Sequence, residues 1–353
     1  MTNEEQPPLL NVDRLRKSFA PRSRWFRRGD VQPVRAVDDV SFTIADGETF
    51  GLVGESGCGK TTVLRCIMRA VDPTGGAIRF RTGVGATVDL ASLSRRQLRP
   101  LRSQMQMIFQ NPYTSLNPRM RLLDIVGEPL LVGGMKNRLQ RIHRVAELLD
   151  LVGLPPLYMW RYAHAFSGGE RQRIGIARAL ALEPRLILAD EPIAALDVSI
   201  QAQVLNLLRD LRQPLNLAML FVSHDLGVVR HICDRVAVMY LGKIVEIAPT
   251  ETLFNTPRHP YTSALLSAVP AVDPRLRSEL RVLPGEVPSP ASPPSGCYVH
   301  PRCHMALNAC SINQPLLETL EPNHEAACLR AREWPTAPKP GTVQVLESIP
   351  EPA

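Results

Sequence analysis

The sequence predicts an α/β fold with a mostly parallel core sheet, and three observations support this prediction. Up to about residue 250, short apolar runs typical of strands alternate with stretches of helical periodicity. A glycine-rich segment at residues 54–61 lies between one such run and a helix-like stretch. Beyond this part the composition changes, because 18 of the 32 prolines fall at or after Pro249 and disfavour long helices or strands there.

The alternation can be followed element by element. The predicted strands span residues 37–44, 50–53, 106–109, 186–189, 218–222 and 236–240. The clearest predicted helices span residues 62–70, 137–151, 169–182 and 200–211. Residues 111–165 interrupt this order with a largely helical stretch, so we expect a helical subdomain, at about residues 111–180, inserted into the core.

Composition limits the classes of protein that the chain can represent. Of its 353 residues 44% are hydrophobic, which suffices for a substantial core, and the length allows two domains or one large domain with an appendage. The chain contains no apolar stretch long enough to span a bilayer. Residues 1–10 contain Glu4 and Glu5 and lack the basic and then apolar pattern of a secretory signal, so we expect a cytosolic chain. The net charge of +7, with a pI of about 9.2, would allow binding to nucleic acid or anionic lipid, but the arginines are scattered, which favours solvated faces.

Residues 54–61, Gly-Glu-Ser-Gly-Cys-Gly-Lys-Thr, match the pattern G-x-x-x-x-G-K-[ST], which binds the phosphates of a nucleoside triphosphate. Glycines let the backbone bend so that successive N–H groups point at the phosphates. Lys60 would add a positive charge beside the β- and γ-phosphates, and Thr61 would offer its hydroxyl to Mg²⁺. The predicted nucleotide contacts in this loop are Gly54, Glu55, Ser56, Gly57, Cys58, Gly59, Lys60, Thr61 and Thr62.

A second acidic motif supports a nucleotide site. Residues 185–191, Arg-Leu-Ile-Leu-Ala-Asp-Glu, form a predicted apolar strand that ends in two carboxylates. Asp190 could hold the Mg²⁺ shell, and Glu191 could polarise the water that attacks the γ-phosphate. Many strands end in acidic residues, so the motif gains its weight from its position downstream of the phosphate-binding loop.

The segment 166–172, Phe-Ser-Gly-Gly-Glu-Arg-Gln, resembles the signature of the ATP-binding cassette (ABC) family. Ser167, Gly168 and Gly169 would form a second anion-binding turn at a helix N-terminus, although an ordinary N-capped helix has similar residues. The resemblance covers about residues 9–250 and implies an ABC-type ATPase core that uses ATP and Mg²⁺. It also implies a second cassette, homologous or identical, because in this family each ATP lies between the phosphate-binding loop of one cassette and the signature turn of another.

Single positions match the family one by one. Gln110 resembles the glutamine that senses Mg²⁺ and water, and His224 resembles the histidine that contacts the γ-phosphate. Asp197 occupies the place of the aspartate in the family's D-loop, although Ala194 stands where a serine is commoner, which puts one hydrogen bond between subunits in doubt. The resemblance thus implies catalytic roles for Glu191, Gln110 and His224 and Mg²⁺ contacts for Thr61, Gln110 and Asp190.

An aromatic residue stacks on the adenine in this family, and Phe19 is the best candidate for it. Phe19 precedes the first predicted core strand, and a simple core position is almost as well supported. Trp25 and Phe26 are rival candidates for the same role.

Two further stretches resemble the oligopeptide/dipeptide import branch of the family, residues 109–119 and residues 259–262 with 264–270. Residues 50–62 are similar to the second, F-type cassette of such systems. The resemblance implies a peripheral ATPase on the cytoplasmic face of the membrane, with two permease subunits, a partner cassette and, indirectly, an extracytoplasmic binding protein. One open alternative is the import of another solute such as nickel. A second is a soluble ATPase that acts on nucleic acid or ribosomes, although the absence of a coiled-coil insertion disfavours it. A third is an iron–sulfur assembly or sensing protein.

The residues after 250 are expected to form an irregular, Pro/Cys-rich extension at 251–334, with a proline-rich connector at 284–294 and a disordered tail at 335–353. Four cysteines in it, Cys297, Cys303, Cys310 and Cys328, are similar to those of the peptide-importer branch, where they can hold an iron–sulfur cluster. A [4Fe–4S] cluster, a zinc ion and free thiols all stay open, with His300, His304 or His324 as substitute ligands. Cys58, Cys66 and Cys233 are expected to be buried apolar residues.

Overall fold

The computed structural model describes residues 7–20, 32–269 and 283–333. Within those ranges the strands are β1 Leu10–Phe19, β2 Val34–Ile44, β3 Thr49–Val53, β4 Gly75–Arg81, β5 Thr87–Asp89, β6 Met105–Ile108, β7 Leu186–Asp190, β8 Ala218–Ser223, β9 Arg235–Tyr240, β10 Lys243–Pro249, β11 Glu318–Glu321 and β12 His324–Ala326. The α-helices there are α1 Lys60–Ile67, α2 Arg95–Leu101, α3 Pro112–Ser115, α4 Leu122–Val132, α5 Arg138–Leu151, α6 Gly168–Leu180, α7 Val198–Arg212, α8 Leu226–Ile232, α9 Thr250–Asn255, α10 Pro260–Ser267 and α11 Asn308–Ile312.

The main sheet has the order β11-β12-β10-β9-β3-β8-β7-β6. Its centre is parallel, because β3 pairs in parallel with both β8 and β9, and β7 pairs in parallel with β6 and β8. Every residue of β3, β7 and β8 is buried, as expected for apolar strands that are covered on both faces. The carboxyl ends of parallel neighbours meet at one edge, so the segments that follow β3, β6, β7 and β8 are brought together.

A smaller antiparallel sheet, of order β2-β1-β4-β5, lies beside the main sheet. Only part of β2 was predicted from the sequence, and β1, β4 and β5 were not, because these three strands are half exposed and carry charges on their outer face. Their buried residues share one hydrophobic cluster with α1 and the main sheet. Within this cluster Phe42 stacks on Phe50, with ring centroids 5.0 Å apart, which ties the small sheet to β3.

The predicted helices are present with small shifts of their ends. The predicted helix 137–151 is α5, which begins one residue later because the side chain of Asn137 accepts hydrogen bonds from two N–H groups of its first turn. The predicted helix 169–182 is α6, and residues 112–180 carry the four helices α3 to α6. None of the helices in the described ranges has the length and apolarity needed to cross a bilayer.

The C-terminal extension is more regular than expected. Residues 284–294 contain no helix or strand, but β12 pairs antiparallel with β10 and so extends the main sheet. A buried contact supports this pairing, because the Nε2 atom of His324 lies 2.8 Å from a carboxylate oxygen of Glu246. The same carboxylate accepts hydrogen bonds from the backbone N–H groups of Arg258 and His259, so the fully buried Glu246 joins three segments of the chain. The predicted tail at 335–353 lies outside the described residues.

Candidate active site

The phosphate-binding loop connects β3 to α1 and is tightly packed. Gly54 and Gly59 have φ angles of 152° and 111°, a region that L side chains rarely adopt. A Cβ atom at Gly54 would overlap the carbonyl of Met239, and one at Gly59 would overlap the carbonyl of Ala36. Glycine is therefore required at both positions for the loop to close against β9 and the small sheet.

Lys60 is the first residue of α1, and its ammonium group is buried under the loop. The Nζ atom donates to the carbonyl oxygen of Gly54 at 2.7 Å and to that of Glu55 at 2.9 Å. The first N–H groups of a helix lack partners within it, so Lys60, Thr61 and Thr62 present unpaired donors at the positive end of the helix dipole. The loop thus gathers backbone donors and one cation, which is the chemistry that a triphosphate requires.

Thr61 and Asp190 place two oxygen ligands side by side. The Oγ1 atom of Thr61 donates to the Oδ1 atom of Asp190 at 2.9 Å. Burial raises the pKa of the Asp190 carboxyl, and the charge of Glu191 raises it further, whereas the hydrogen bond from Thr61 opposes these effects. A hydroxyl and a buried carboxylate are the kind of oxygen ligands that Mg²⁺ prefers, so these residues fit the predicted ion.

Glu191, Gln110 and His224 meet although they follow three different strands. The Nε2 atom of Gln110 donates to the Oε2 atom of Glu191 at 2.9 Å, and the Nδ1 atom of His224 lies 3.2 Å from the same oxygen. Glu191 has a φ angle of 45°, an uncommon conformation for a residue with a side chain. Its carboxylate is mostly buried, whereas His224 and Gln110 are exposed, so the group opens toward solvent on one side only.

The signature turn is the N-terminus of α6. Ser167 is the N-cap residue: its hydroxyl accepts from the N–H of Glu170, and the Glu170 side chain accepts from the N–H of Ser167 at 2.9 Å, which completes a capping box. Gly169 packs against α7, because a Cβ atom there would lie 2.5 Å from a methyl of Ile200. The sequence alternatives are therefore not exclusive, since a capped helix start also leaves free N–H donors for an anion.

The D-loop residues lie next to this turn and face solvent. Asp197 is the N-cap residue of α7 but makes no side-chain hydrogen bond to its own helix, and it is exposed together with Ala194. Val198, which follows it, has 81% of its surface exposed, which is unusual for a valine. The carboxylate of Asp197 is thus available to groups outside its own helix.

Phe19 lies at the end of β1 and is not a core residue, because 41% of its surface is exposed. The ammonium of Lys17 lies 4.9 Å from the centre of its ring. An exposed ring can stack on a base, so adenine stacking by Phe19 stays a prediction. Trp25 and Phe26 lie outside the described residues.

The four cysteines of the extension line one small cavity of about 20 Å³. Burial raises the pKa of Cys297, Cys303 and Cys328, the last to about 11, and nearby thiols add to each shift. The donor chemistry fits a soft metal, but in the described ranges no group of three or more His, Cys, Asp or Glu side chains has the arrangement of a metal site. Iron–sulfur or zinc binding therefore stays a prediction, and the buried states of Cys58, Cys66 and Cys233 are confirmed.

Two residues of the extension contact the phosphate-binding loop and were not predicted from the sequence. The hydroxyl of Tyr261 accepts a hydrogen bond from the backbone N–H of Glu55 at 3.0 Å. The guanidinium of Arg302 lies 3.1 Å from the carboxylate of Glu55. Tyr261 belongs to a stretch singled out as similar to peptide importers, but nothing in that pattern indicated its contact.

Comparisons with known proteins agree with this geometry. A family model described as ABC transporter matches residues 37–194, which include the phosphate-binding loop, the signature turn and Glu191. A second model, described as oligopeptide/dipeptide transporter, C-terminal region, matches residues 245–310, which include Tyr261 and Arg302.

The chain is similar over most of its length to curated relatives. It is 50% identical over 331 residues to the oligopeptide transport ATP-binding protein AppF of Bacillus subtilis, covering 93% of this chain and 99% of that protein. It is 53% identical over 325 residues to a Brucella ovis ATP-binding protein whose name assigns it provisionally to peptide import, covering 92% of this chain and 98% of the relative. A solved structure of the ATP-binding cassette MJ0796, a dimer in a post-hydrolysis state bound to ADP and phosphate, matches with a TM-score of 0.59 and 27% identity, over 68% of this chain and 98% of that one.

Proposed function

The chain belongs to the ABC transporter family of ATP-binding proteins, and from this premise we propose that it energises the import of di- and oligopeptides. Peptides are proposed as the solute mainly because residues 245–310 match the C-terminal region of oligopeptide/dipeptide transporters. Full-length relatives that are named for peptide import support the same choice. We propose a cassette at residues 9–250 with a helical subdomain at about 111–180, an extension at 251–334 and a tail at 335–353.

We propose that this chain's residues divide the work of ATP hydrolysis as follows. Lys60 exchanges the carbonyls of the loop for phosphate oxygens when ATP binds, and the N–H groups of α1 hold the same oxygens. Thr61 and Asp190 would hold Mg²⁺, which neutralises charge on the β- and γ-phosphates. Glu191 orients the attacking water and takes its proton, and Gln110 and His224 position the Glu191 carboxylate.

The second half of each site would come from a partner cassette. Ser167, Gly168 and Gly169 would offer donors to the γ-phosphate held by the partner's loop, and Asp197 would contact the partner near the same place. The exposure of Asp197 and Val198 supports such an interface. The partner is a second copy of this chain or a homologous one.

Membrane partners are proposed for the surface beside Gln110. Large apolar side chains are exposed there and on the neighbouring helices, which is unusual for a surface that contacts only water. Among these exposed residues are Phe109, Tyr113, Leu157, Trp160 and Tyr162. We propose that two permease subunits cover this surface, with the chain bound peripherally at the cytoplasmic face of the membrane and an extracytoplasmic binding protein delivering the solute.

An uptake experiment in the natural host tests the proposed solute. Cells that lack the chain should lose uptake of labelled di- and pentapeptides, and the wild-type chain, but not the Glu191→Gln variant, should restore it. Uptake of labelled Ni²⁺ is the matched measurement. If nickel uptake depends on the chain and peptide uptake does not, the peptide assignment is wrong, although the ATPase assignment survives. DNA-stimulated, salt-sensitive ATPase activity would instead favour a role on nucleic acid.

We also propose that the four cysteines of the extension bind a thiolate-ligated metal centre, either a [4Fe–4S] cluster or a zinc ion. Their common cavity supports this proposal. Metal analysis of anaerobically purified protein should find iron with sulfide, or zinc, and replacing Cys303 and Cys310 by serine should remove it. Protein that is folded, binds nucleotide and contains less than a tenth of a metal ion per chain would count against the centre.

A further inference from the structure

Glu55 of the phosphate-binding loop is held twice by the C-terminal extension. Its backbone N–H donates to the hydroxyl of Tyr261 at 3.0 Å. Its two carboxylate oxygens accept from one guanidinium nitrogen of Arg302, at 3.1 and 3.3 Å. Arg302 is 247 residues away along the chain, so these contacts are purely tertiary.

Both contacting side chains are fixed by their own surroundings. Tyr261 is fully buried, and its ring lies edge-on to that of Tyr240, with centroids 4.7 Å apart. Arg302 has 8% of its surface exposed, donates to the carbonyl of Pro284 at 3.3 Å and lies 3.5 Å from the hydroxyl of Tyr240. Because Tyr240 ends β9 in the main sheet, the core holds both residues in place.

Glu55 also contacts the other end of the loop. Its carbonyl oxygen accepts from the Nζ atom of Lys60 at 2.9 Å and from the N–H of Cys58 at 3.3 Å. A shift of Glu55 would therefore move both the ammonium group and the turn that presents the phosphate-binding N–H groups. Ordering the loop before ATP arrives reduces the entropy lost on binding.

We propose that Tyr261 and Arg302 are positioning residues for ATP: they hold the phosphate-binding loop in its anion-binding shape through Glu55. The extension, which would otherwise be only an appendage, then acts on the nucleotide site of its own chain. Docking of the extension and binding of nucleotide must favour each other, since coupling between two sites is reciprocal. This inference rests on ATP binding and is independent of the transported solute.

Nucleotide affinity of the full-length protein tests the proposal. Arg302→Met should raise the Kd for Mg-ATP roughly 5- to 20-fold, at the lower end of the range for coupling between two sites, because the charge-assisted hydrogen bonds to Glu55 are lost. Arg302→Lys should recover much of the affinity, because a single nitrogen of Arg302 contacts both oxygens. The matched control is Arg330→Met, which removes another arginine of the extension, paired with Glu333, and should leave the Kd unchanged.

Two further readouts separate positioning from general stability. In steady-state assays Arg302→Met should raise KM with little change in kcat. The variant loses order of the loop in the free protein, so it binds ATP and the transition state less tightly by the same factor. Combining Arg302→Met with Glu55→Gln should add nothing to the stronger single effect, since both changes remove one interaction. Tyr261→Phe removes only one oxygen atom and should raise the Kd by a smaller factor, so it keeps the test available if Arg302→Met does not fold.

Hydrogen exchange measures the reciprocal coupling directly. In the wild-type protein, Mg-ADP should slow backbone exchange around residues 297–303, and in the Arg302→Met variant this protection should be lost. Wild-type Kd and KM in both Arg302→Met and Tyr261→Phe, with protection retained, would overturn the proposal. A wild-type protein that binds no nucleotide would instead overturn the ATPase assignment, so the two failures can be told apart.

Discussion

The candidate site has a phosphate half, around Lys60, Asp190 and Glu191, and a signature half, around Ser167 and Asp197. The two halves differ in how far a single chain completes them. In the phosphate half, the polar groups of Lys60, Asp190 and Glu191 already have partners within the chain, which are loop carbonyls, Thr61 and the pair Gln110 and His224. In the signature half, Ser167 is exposed and caps only its own helix, and the side chain of Asp197 makes no hydrogen bond to α7.

This difference shows that the phosphate half is preformed in the single chain, whereas the signature half needs contacts from another molecule. The phosphate half is built from the ends of parallel strands, so the sheet sets most of its geometry, and the extension adds the contacts to Glu55. The signature half consists of two helix starts whose donors face solvent. A chain with this asymmetry can bind nucleotide alone, whereas hydrolysis should require a second cassette.

Replacing Glu191 by Gln should give the largest effect and should separate hydrolysis from nucleotide binding within the phosphate half. Glutamine keeps the shape of the side chain but cannot take a proton from water, so we expect hydrolysis to fall at least about 100-fold. The Kd for ATP should stay within about twofold, because Lys60 and the backbone donors are unchanged. Phosphate release and nucleotide titration measure the two quantities, and size-exclusion chromatography with ATP should show the closed pair accumulating.

The control for this variant is Glu147→Gln, which changes an exposed glutamate paired with Arg144. It should hydrolyse ATP at the wild-type rate. Wild-type turnover in the Glu191→Gln variant would refute its role as the base and would shift attention to His224.

Changing Ser167 to Arg should break the signature half while leaving the phosphate half intact. A long cation at the exposed turn blocks the donors of α6 from a nucleotide on the partner, so hydrolysis in the assembled complex should fall roughly 10- to 100-fold. Binding of ATP to the separate chain should not change. Ser167→Thr is the matched control, since threonine keeps the N-cap acceptor and should retain most activity. Equal loss of nucleotide binding in the Arg variant would contradict the division into halves.

Most of the phosphate half could be predicted from sequence, because its signals are local. The loop pattern fixes Lys60 and Thr61 within eight residues, and the rule that parallel strands end at one edge brings Gln110, Glu191 and His224 together. Their catalytic roles stay predictions. Strands β1, β4 and β5 of the small sheet escaped detection because charged residues and irregular pairing, such as the positive φ of Arg14 in β1, obscure the period of two.

The extension was the least predictable part, for a physical reason. Strand β12 has only three residues, and its pairing with β10 and the Glu246–His324 contact give it order that no local propensity supplies. The contacts of Tyr261 and Arg302 with the phosphate-binding loop join residues more than 200 positions apart. A high proline content indicates short elements, but it does not indicate what those elements touch.

The support behind the phosphate half should be sensitive to acid, which gives the smallest of the expected effects. His259 is buried and caps α10 by accepting, at its Nδ1 atom, a hydrogen bond of 3.1 Å from the N–H of Tyr261. Burial lowers the pKa of His259 to about 3, from an ordinary value of 6.5. The unfolded chain therefore takes up the proton first, and the free energy of unfolding falls as the pH drops from 6.5 toward 3.

At pH 5.5 the free energy of unfolding should be about 1.4 kcal/mol lower than at pH 7.5 because of His259. Asparagine at position 259 keeps a cap acceptor but does not titrate, so His259→Asn should remove that part of the pH dependence. Urea unfolding of both proteins at the two pH values measures the difference. In the folded protein His259 stays neutral at pH 5.5, so the Kd for ATP should show the same pH dependence in the wild-type protein and in the His259→Asn variant. An equal fall in the free energy of unfolding for the two proteins would contradict the role of His259 in the acid sensitivity.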